Sequence, residues 1–327
     1  MHTTTQAART TVAAFDDTLF MTDSGLETTL IFHERIELPY FAAFTLLETP
    51  DGTDRLRRYY RRYAEMAQRF GLGLVLESPT WRASRDWGVK LGYDAERLAR
   101  ANRDGVALMH EIRAAHAGPR TPMLVSGNIG PRGDGYRVDR AMSADEARDY
   151  HAEQIATFAA AGVDLVSVFT MNYVEEAIGV ALAARAARLP VVVSFTLETD
   201  GRLPSGDTLR AAIERTDEAT GNYPAHYMIN CAHPTHFDFV LEAGAPWTER
   251  VRGLRANASK RSHAQLDEAP DLDAGDPVAL GGEYRQLRPL LPRLAVVGGC
   301  CGTDDRHIEA ICAALVRPAA PTARGAA

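Results

Sequence analysis

The chain lacks several features that define whole classes of protein. Its 327 residues contain no uninterrupted apolar stretch of about 18 residues, the length that a membrane-spanning helix needs. Its formal net charge is -7, which argues against nucleic-acid binding. With 46% hydrophobic and 24% charged residues, the composition is that of an ordinary globular protein. We therefore expect its partners to be small molecules, and neither nucleic acid nor a membrane.

Cysteine is also scarce. The chain has four cysteines, two of them adjacent, which is not the spaced framework of a disulfide-bonded secreted domain. Residues 1 to about 14 lack the continuous apolar segment of a secretory signal. These absences predict a cytoplasmic protein. We expect a loosely ordered segment over residues 1–14, one catalytic domain over residues 15–316, and a disordered tail over residues 317–327.

Short apolar runs alternate along the chain with longer amphipathic ones. The apolar runs predict eight strands, at Leu19–Thr22, Leu72–Leu76, Met123–Ser126, Leu165–Phe169, Val191–Phe195, Tyr227–Ile229, Val251–Arg255 and Leu294–Val297. The amphipathic runs predict eight helices, at Arg55–Phe70, Asp94–Ala117, Ala144–Ala161, Tyr173–Leu189, Thr208–Ala219, His236–Ala243, Pro277–Leu291 and Asp305–Leu315. Ser143 and Glu146 have the spacing of a capping box at the start of the third helix.

Eight strand–helix units with continuously apolar strands predict a single (β/α)₈ barrel. The chain is longer than the roughly 250 residues of a typical barrel, and the extra residues lie in loops after strands, at 23–54, 128–143 and 256–276. Such loops surround the catalytic mouth. A doubly wound open sheet is the alternative, but no Gly-x-Gly-x-x-Gly follows the first strand to support it.

Three cysteines follow predicted strands, where barrel enzymes keep their active sites. Cys231 ends the sixth strand, and Cys300 and Cys301 follow the eighth within Gly298-Gly299-Cys300-Cys301-Gly302-Thr303. We expect the flanking glycines to provide the loose backbone that lets adjacent thiols face one ion. Three sulfur ligands leave the fourth tetrahedral position of Zn²⁺ open, which is typical of a catalytic site and suits alkyl transfer to a bound thiolate. Cys312, on an apolar helix face, is predicted to be a core residue.

Several motifs, in order from about residue 20 to 312, resemble those of the homocysteine S-methyltransferase family. They are Asp23-Ser24-Gly25-Leu26-Glu27-Thr28-Thr29-Leu30, Thr80-Trp81-Arg82-Ala83-Ser84, Ser126-Gly127-Asn128-Ile129-Gly130-Pro131, Ile229-Asn230-Cys231 and the Gly298–Thr303 segment. The resemblance implies a (β/α)₈ barrel whose Cys231, Cys300 and Cys301 bind zinc, with the thiol of homocysteine as the exchangeable fourth ligand.

The same resemblance implies a set of substrate-binding residues around the amino-acid end of homocysteine. They are Asp23, Gly25, Glu27, Trp81, Phe169, Thr170 and Asn230. Relatives usually carry Glu-Thr after strand four, where the glutamate contacts the substrate's amino group; here the pair is Phe169-Thr170. Because an unpaired buried ammonium is costly, either another carboxylate replaces that glutamate or the acceptor thiol lacks the amine. Glu27, Glu77 and Glu198 are the candidates.

Two further departures lie after strand two, where the chain has Trp81 and Arg82. Trp81 is a candidate for the aromatic face that receives a positively charged methyl donor. Arg82 has two open interpretations, recognition of an anionic substrate group or a surface role. His233, His236 and His263 also lie on mouth-side segments, but a site with three sulfurs does not need them as ligands.

The sequence thus predicts a zinc-dependent S-methyltransferase that uses S-methylmethionine, S-adenosylmethionine or a betaine-type donor to convert homocysteine into methionine. One alternative keeps the zinc-thiolate chemistry but has a different small thiol or selenol as acceptor. Another is a zinc- or thiol-binding protein without turnover. The sequence leaves the methyl donor and the oligomeric state open.

Overall fold

The computed structural model describes residues 13–269 and 271–316, and within them eight parallel strands form a closed barrel. The strands are β1 (Phe20–Met21), β2 (Gly73–Glu77), β3 (Met123–Ile129), β4 (Leu165–Met171), β5 (Val191–Thr196), β6 (His226–Asn230), β7 (Val251–Ala256) and β8 (Val296–Gly299). Each strand pairs with its neighbours in chain order, and β1 pairs with β8 to close the ring. The predicted barrel is confirmed.

One main helix follows each strand and covers the outside of the barrel. These helices are α1 (Pro50–Phe70), α2 (Ala95–His116), α3 (Ala144–Ala161), α4 (Val174–Ala186), α5 (Leu209–Thr220), α6 (Pro246–Glu249), α7 (Pro277–Leu287) and α8 (Asp305–Leu315). The capping box of Ser143 and Glu146 at the start of α3 is confirmed, as is the burial of Cys312.

The sixth helix is the main error of the sequence analysis. Residues 236–243 form no α-helix; two short 3₁₀ turns, Pro234–His236 and Asp238–Val240, occupy this region, and the short α6 comes later. Phe237 and Leu241 are buried and Val240 packs against the same core, but they do so from these short turns, and Phe239 is 62% exposed. The strand predictions differ from the structure by at most three residues at either end; β3 continues three residues beyond Ser126, and β4 continues two residues beyond Phe169.

The barrel interior has its own apolar core, separate from the larger core between strands and helices. Phe15, from a helical turn at residues 13–17, packs with Phe20 and Met228 in this inner core, and Phe169 belongs to it as well. Arg252 of β7 donates to the carbonyl of Phe15, which holds that turn against the barrel. The inner core supports the residues at the carboxyl ends of the strands from below.

None of the helices in the described ranges is long and apolar enough to cross a membrane. The expected tail over residues 317–327 lies outside the described residues, as does most of the expected loose segment over residues 1–14.

Candidate active site

Three cysteine sulfurs meet at the mouth of the barrel. Cys231 follows β6, Cys300 and Cys301 follow β8, and the three Sγ atoms all lie within 4.8 Å of one another. Cys231 is buried, Cys300 is partly exposed and Cys301 is exposed. The cluster therefore has a protein side and an open side, as a site that admits a substrate requires.

Strand β7, which lies between β6 and β8, brings these cysteines together through backbone hydrogen bonds. The amide of Cys231 donates to the carbonyl of Arg255 at 3.1 Å, and the amide of Cys300 donates to Ala256 at 2.8 Å. The amide of Ala258 donates to the carbonyl of Cys301 at 3.0 Å. Cys231 adopts a left-handed backbone with φ of 53°, a strained conformation for a residue with a side chain and one typical of functional positions.

The glycines around Cys300 and Cys301 serve two different purposes. Gly302 has φ of 79°, a left-handed conformation, so it provides the looser backbone expected of the flanking glycines. Gly298 and Gly299 instead belong to β8, where a Cβ atom would collide with the side chains of Thr22 and Thr303. These two glycines are needed for close packing rather than for a loose backbone.

The segment after β1 is hydrogen-bonded to the loop after β8 that carries Cys300 and Cys301. The amide of Gly25 donates to Thr303 Oγ1 at 3.1 Å, and the amide of Gly302 donates to Thr28 Oγ1 at 3.0 Å. A Cβ atom on Gly25 would lie 2.6 Å from the carbonyl oxygen of Cys300. The segment after β1 and the segment after β8 thus form one rigid unit.

Cys231 and Cys300 form a disulfide in this structure, and Cys301 lies outside it. The sequence analysis did not predict this bond. Sulfurs close enough to form a disulfide are, once reduced, also close enough to ligate one ion together with a third thiolate, because ligands of one zinc lie about 2.3 Å from it. The three sulfurs fit a soft metal ion in the reduced protein, and metal and disulfide exclude each other.

Tyr136 and His263 cover one side of the cluster. The Tyr136 hydroxyl lies 3.6 Å from Cys301 Sγ, and its ring stacks on His263 with centroids 3.9 Å apart. His263 contacts the carbonyl oxygen of Cys231 at 2.5 Å through Nε2 and Glu198 at 3.1 Å through Nδ1. His263 is therefore a neighbour of the site that supports Cys231. Tyr136 was not predicted, because no motif marks it in the sequence.

Below the cysteines, the guanidinium of Arg255 binds two buried carboxylates. Its NH2 lies 2.7 Å from Asp23 Oδ1 and its NH1 pairs with Glu77; the same side chain also donates to the carbonyls of Ser24 and Gly299. Burial raises the pKa of Asp23 and raises that of Glu77 to about 8, while the nearby guanidinium opposes both shifts. One cation between two carboxylates becomes neutral overall when one carboxyl group holds a proton.

Asn230 and Thr170 bind each other rather than an open pocket. Asn230 Nδ2 donates to Thr170 Oγ1, and the Thr170 amide donates to Asn230 Oδ1, both at 2.9 Å. Thr170 has φ of 63° and lies at a register shift between β4 and β5. This reciprocal pair fixes the irregular backbone next to Phe169, whose ring lies 5.0 Å from the Arg255 guanidinium.

Trp81 and Arg82 lie beside the loop after β3. The Arg82 guanidinium is stacked between the rings of Trp81 and Trp87, 3.9 Å from each centroid. Arg82 is only 5% exposed, so the surface role considered from the sequence is wrong. One face of the Trp81 ring is thereby occupied by a cation of the protein itself.

The structure brings most of the predicted site residues to one end of the barrel, but in different roles. The three cysteines form the cluster, Asp23 is bound to Arg255, and Gly25 packs on the cysteine loop. His233 and His236 point elsewhere: His233 pairs with Glu283 at 3.0 Å, and His236 contacts the Lys260 carbonyl at 2.9 Å. Arg255 was missed, although a charged residue inside the apolar run of β7 was a usable signal.

An eight-stranded parallel barrel with three thiols at the carboxyl ends of its strands defines a class of protein, the barrel enzymes with a thiol-rich site at the mouth. A family model described as homocysteine S-methyltransferase matches residues 20–315. The chain belongs to the homocysteine S-methyltransferase family, and it is a methyltransferase that acts on homocysteine.

Individual relatives support this assignment. Homocysteine S-methyltransferase 4 of Zea mays is 24% identical over 269 residues, covering 74% of this chain and 75% of that protein. Methionine synthase of Mycobacterium tuberculosis is 26% identical over 248 residues, covering 68% of this chain but only 19% of the synthase. The chain thus spans about a fifth of the length of that synthase.

Solved structures share the fold. The oxidized form of the homocysteine methyltransferase MmuM from Escherichia coli superposes with a TM-score of 0.71 at 21% identity, covering 94% of this chain and 99% of that chain. The metallated form of the same protein gives a TM-score of 0.70 at 20% identity over the same shares of the two chains.

Proposed function

We propose that this protein transfers a methyl group from a sulfonium or ammonium donor to homocysteine held as a thiolate on zinc, giving methionine. The observation that carries the proposal is the cluster of Cys231, Cys300 and Cys301, three soft ligands with one open side. A bound zinc ion supplies deprotonation of the substrate thiol, whose pKa is otherwise near 8.5, while leaving the sulfur nucleophilic.

The remaining work falls to residues of the chain. Strand β7 holds the cysteine segments in register, and the hydrogen bonds from Gly25 and Gly302 fix the loop that carries two of the sulfurs. Tyr136 and His263 shield one side of the cluster from water. In-line displacement requires the reacting atoms to be aligned at about 3–3.5 Å, so a rigid thiol site is an advantage.

For the donor, we propose a cationic methyl compound, with S-methylmethionine tested first and S-adenosylmethionine and betaine tested beside it. Trp81 supports this proposal because its ring lies at the mouth, is only partly buried, and already stacks with one cation, the Arg82 guanidinium. Thiolate ligands require a reducing environment, so we further propose that residues 15–316 act as one catalytic domain in the cytoplasm.

Two alternatives are weighed against particular residues. A different small thiol or selenol as acceptor is favoured by Phe169, an apolar ring where relatives carry a carboxylate. A zinc-binding protein without turnover requires a closed fourth ligand, but in the described part of the chain the only three-member group of metal-ligating side chains is the set of three cysteines. An open fourth position supports catalysis.

The test is methionine formation by reduced, zinc-loaded protein from homocysteine and each donor separately. The matched variants are Cys300→Ala and Cys312→Ala. Cys312 is the control because it is buried in the outer core and is not part of the cysteine cluster. We expect Cys300→Ala to lose both stoichiometric zinc and turnover, and Cys312→Ala to keep both. A Cys300→Ala variant that retains one zinc per chain would overturn the ligand assignment.

A further inference from the structure

Arg82 is a buried cation without a carboxylate partner. The residue is 5% exposed, its NH1 donates to the Gly133 carbonyl at 2.9 Å, and its Nε has no hydrogen-bond partner. Among the described residues, no carboxylate oxygen lies within 4.0 Å of it, whereas the other buried arginines of the barrel, Arg252 and Arg255, each have such a partner. A desolvated guanidinium with an unused donor is costly unless an anion binds it.

Glu27 is the corresponding unpaired acid. Among the carboxylates near the mouth, Asp23 and Glu77 bind Arg255 and Glu198 binds His263. Asp134 accepts hydrogen bonds from the backbone amides of Tyr136 and Arg137, whereas Glu27 makes no ion pair within the described residues. Burial raises its pKa to about 7. Of the three carboxylates considered as replacements for the missing glutamate, only Glu27 is open to a ligand.

Glu27 and Arg82 both lie beside the thiol cluster, and they form no ion pair with each other within 4.0 Å. Arg82 donates to the carbonyl of Gly133, in the loop that carries Tyr136, and the Tyr136 hydroxyl lies 3.6 Å from Cys301 Sγ. Burial lowers the pKa of Arg82, and the charges of Asp134 and, more weakly, Glu27 oppose that shift. An anion alone would satisfy Arg82 and a cation alone would satisfy Glu27. An α-amino-acid head group, with an ammonium beside a carboxylate, satisfies both at once.

The position of Glu27 is coupled to the thiol cluster. The next residue, Thr28, accepts a hydrogen bond from Gly302, which directly follows Cys301. In homocysteine, two methylene groups separate the thiol sulfur from the α-carbon that carries the ammonium and the carboxylate. A homocysteine sulfur bound at the cysteines therefore places this head group within the same mouth.

We propose that Glu27 and Arg82 together recognise the amino-acid head group of the thiol acceptor, Glu27 binding the ammonium and Arg82 the carboxylate. This inference rests on the proposed function, and it deepens that function by assigning two specificity residues. Glu27 then takes the role left empty by Phe169, on the opposite side of the mouth, and the acceptor is an amino-acid thiol rather than an uncharged one.

The experiment compares three thiols as acceptors. Homocysteine carries both charges, 4-mercaptobutyrate lacks the ammonium, and 3-mercaptopropylamine lacks the carboxylate. We expect the wild-type protein to prefer homocysteine over each analogue by at least about 100-fold in kcat/KM, because a site built for polar partners rejects analogues without them. Glu27→Gln should lose most of the discrimination against 4-mercaptobutyrate only, and Arg82→Gln most of that against 3-mercaptopropylamine only.

Two control variants accompany these substitutions. Arg82→Lys should keep part of the preference for a carboxylate, since a cation remains. Arg85→Gln, three residues later and exposed, should leave all three values unchanged. If both Glu27→Gln and Arg82→Gln keep the wild-type order of preference, the proposal is wrong.

A second measurement tests this proposal independently of methyl transfer. It also shows whether Glu27 and Arg82 bind the head group of homocysteine or that of the donor S-methylmethionine. Calorimetric binding of homocysteine and of S-methylmethionine to reduced, zinc-loaded protein requires no turnover. Weaker binding of homocysteine to both variants supports the proposal even if no donor gives methionine. If only S-methylmethionine binds more weakly, the head group belongs to the donor, and the assignment to the acceptor is overturned.

Discussion

The buried cluster of Arg255, Asp23 and Glu77 leads to a quantitative prediction. Arg255→Met removes the guanidinium but keeps an apolar side chain of similar length, so two carboxylates remain buried without their cation. Breaking a buried ion pair in this way costs about 3–5 kcal/mol of unfolding free energy. For a chain of this size, that is a decrease in the melting temperature of about 4–7 °C.

Arg252→Met is the matched control. Arg252 lies three residues earlier on β7 and is equally buried, 8% exposed as is Arg255, but its carboxylate partner Asp16 is half exposed. Because water can solvate the partner after the substitution, we expect a loss of only about 1–2 kcal/mol. Both variants are measured by urea denaturation of the reduced protein, with tryptophan fluorescence as the signal.

The pH dependence provides the sharper test. Burial raises the pKa of Glu77 to about 8, so the folded state holds a proton that the unfolded state releases, and stability falls as pH rises from about 5 to about 8. Removing the guanidinium raises the carboxyl pKa values further. The difference in stability between wild type and Arg255→Met should therefore be larger at about pH 8 than at about pH 5.5. A difference independent of pH, or equal to that of Arg252→Met, would refute the role of Arg255.

Three further predictions concern the geometry of the site. Asn230→Ala leaves the buried Thr170 amide without its acceptor and should cost about 1–3 kcal/mol in urea denaturation; an unchanged midpoint would show that the pair does not hold the β4 irregularity. Gly25→Ala places a methyl group against the Cys300 carbonyl, so zinc affinity, measured by competition with a chelator, should fall while Gly282→Ala, with open space around it, leaves it unchanged. Protein isolated without reductant should bind less than one zinc per chain and recover it after disulfide reduction, as measured by metal analysis with thiol titration; full zinc before reduction contradicts the exclusion of metal by the Cys231–Cys300 bond.

The elements that the sequence predicted well are those with strong local signals. Helix α3 begins and ends as expected because a capping box fixes its start and Gly162, in a left-handed conformation, fixes its end. The continuous apolar strands predicted a parallel barrel because both of their faces are buried. Residues 236–243 were predicted wrongly because Phe237, Val240 and Leu241 have helical spacing and pack on the core, but two short 3₁₀ turns place them there instead of an α-helix.

The candidate site was predictable in its ligands but not in its electrostatics. Cysteines at strand ends are visible in the sequence, and neighbouring strands bring them together. The partners of Glu77 and Glu198 are not visible in the sequence, because they are Arg255 and His263, which lie 178 and 65 residues away along the chain. The sequence therefore left three carboxylates as equal candidates, and contacts in the folded barrel reduced them to Glu27.

The fastening of Gly25 to Thr303 and of Thr28 to Gly302 has a consequence for how the protein is made. These bonds join segments 278 and 274 residues apart, and two of the three thiols lie in the later segment. During synthesis, a nascent chain that has emerged only as far as β7 presents Cys231 alone and has no partner for its first turn. A metal ion can then bind all three thiols only after the segment following β8 has been synthesised. Metal binding at this site therefore distinguishes complete chains from incomplete ones.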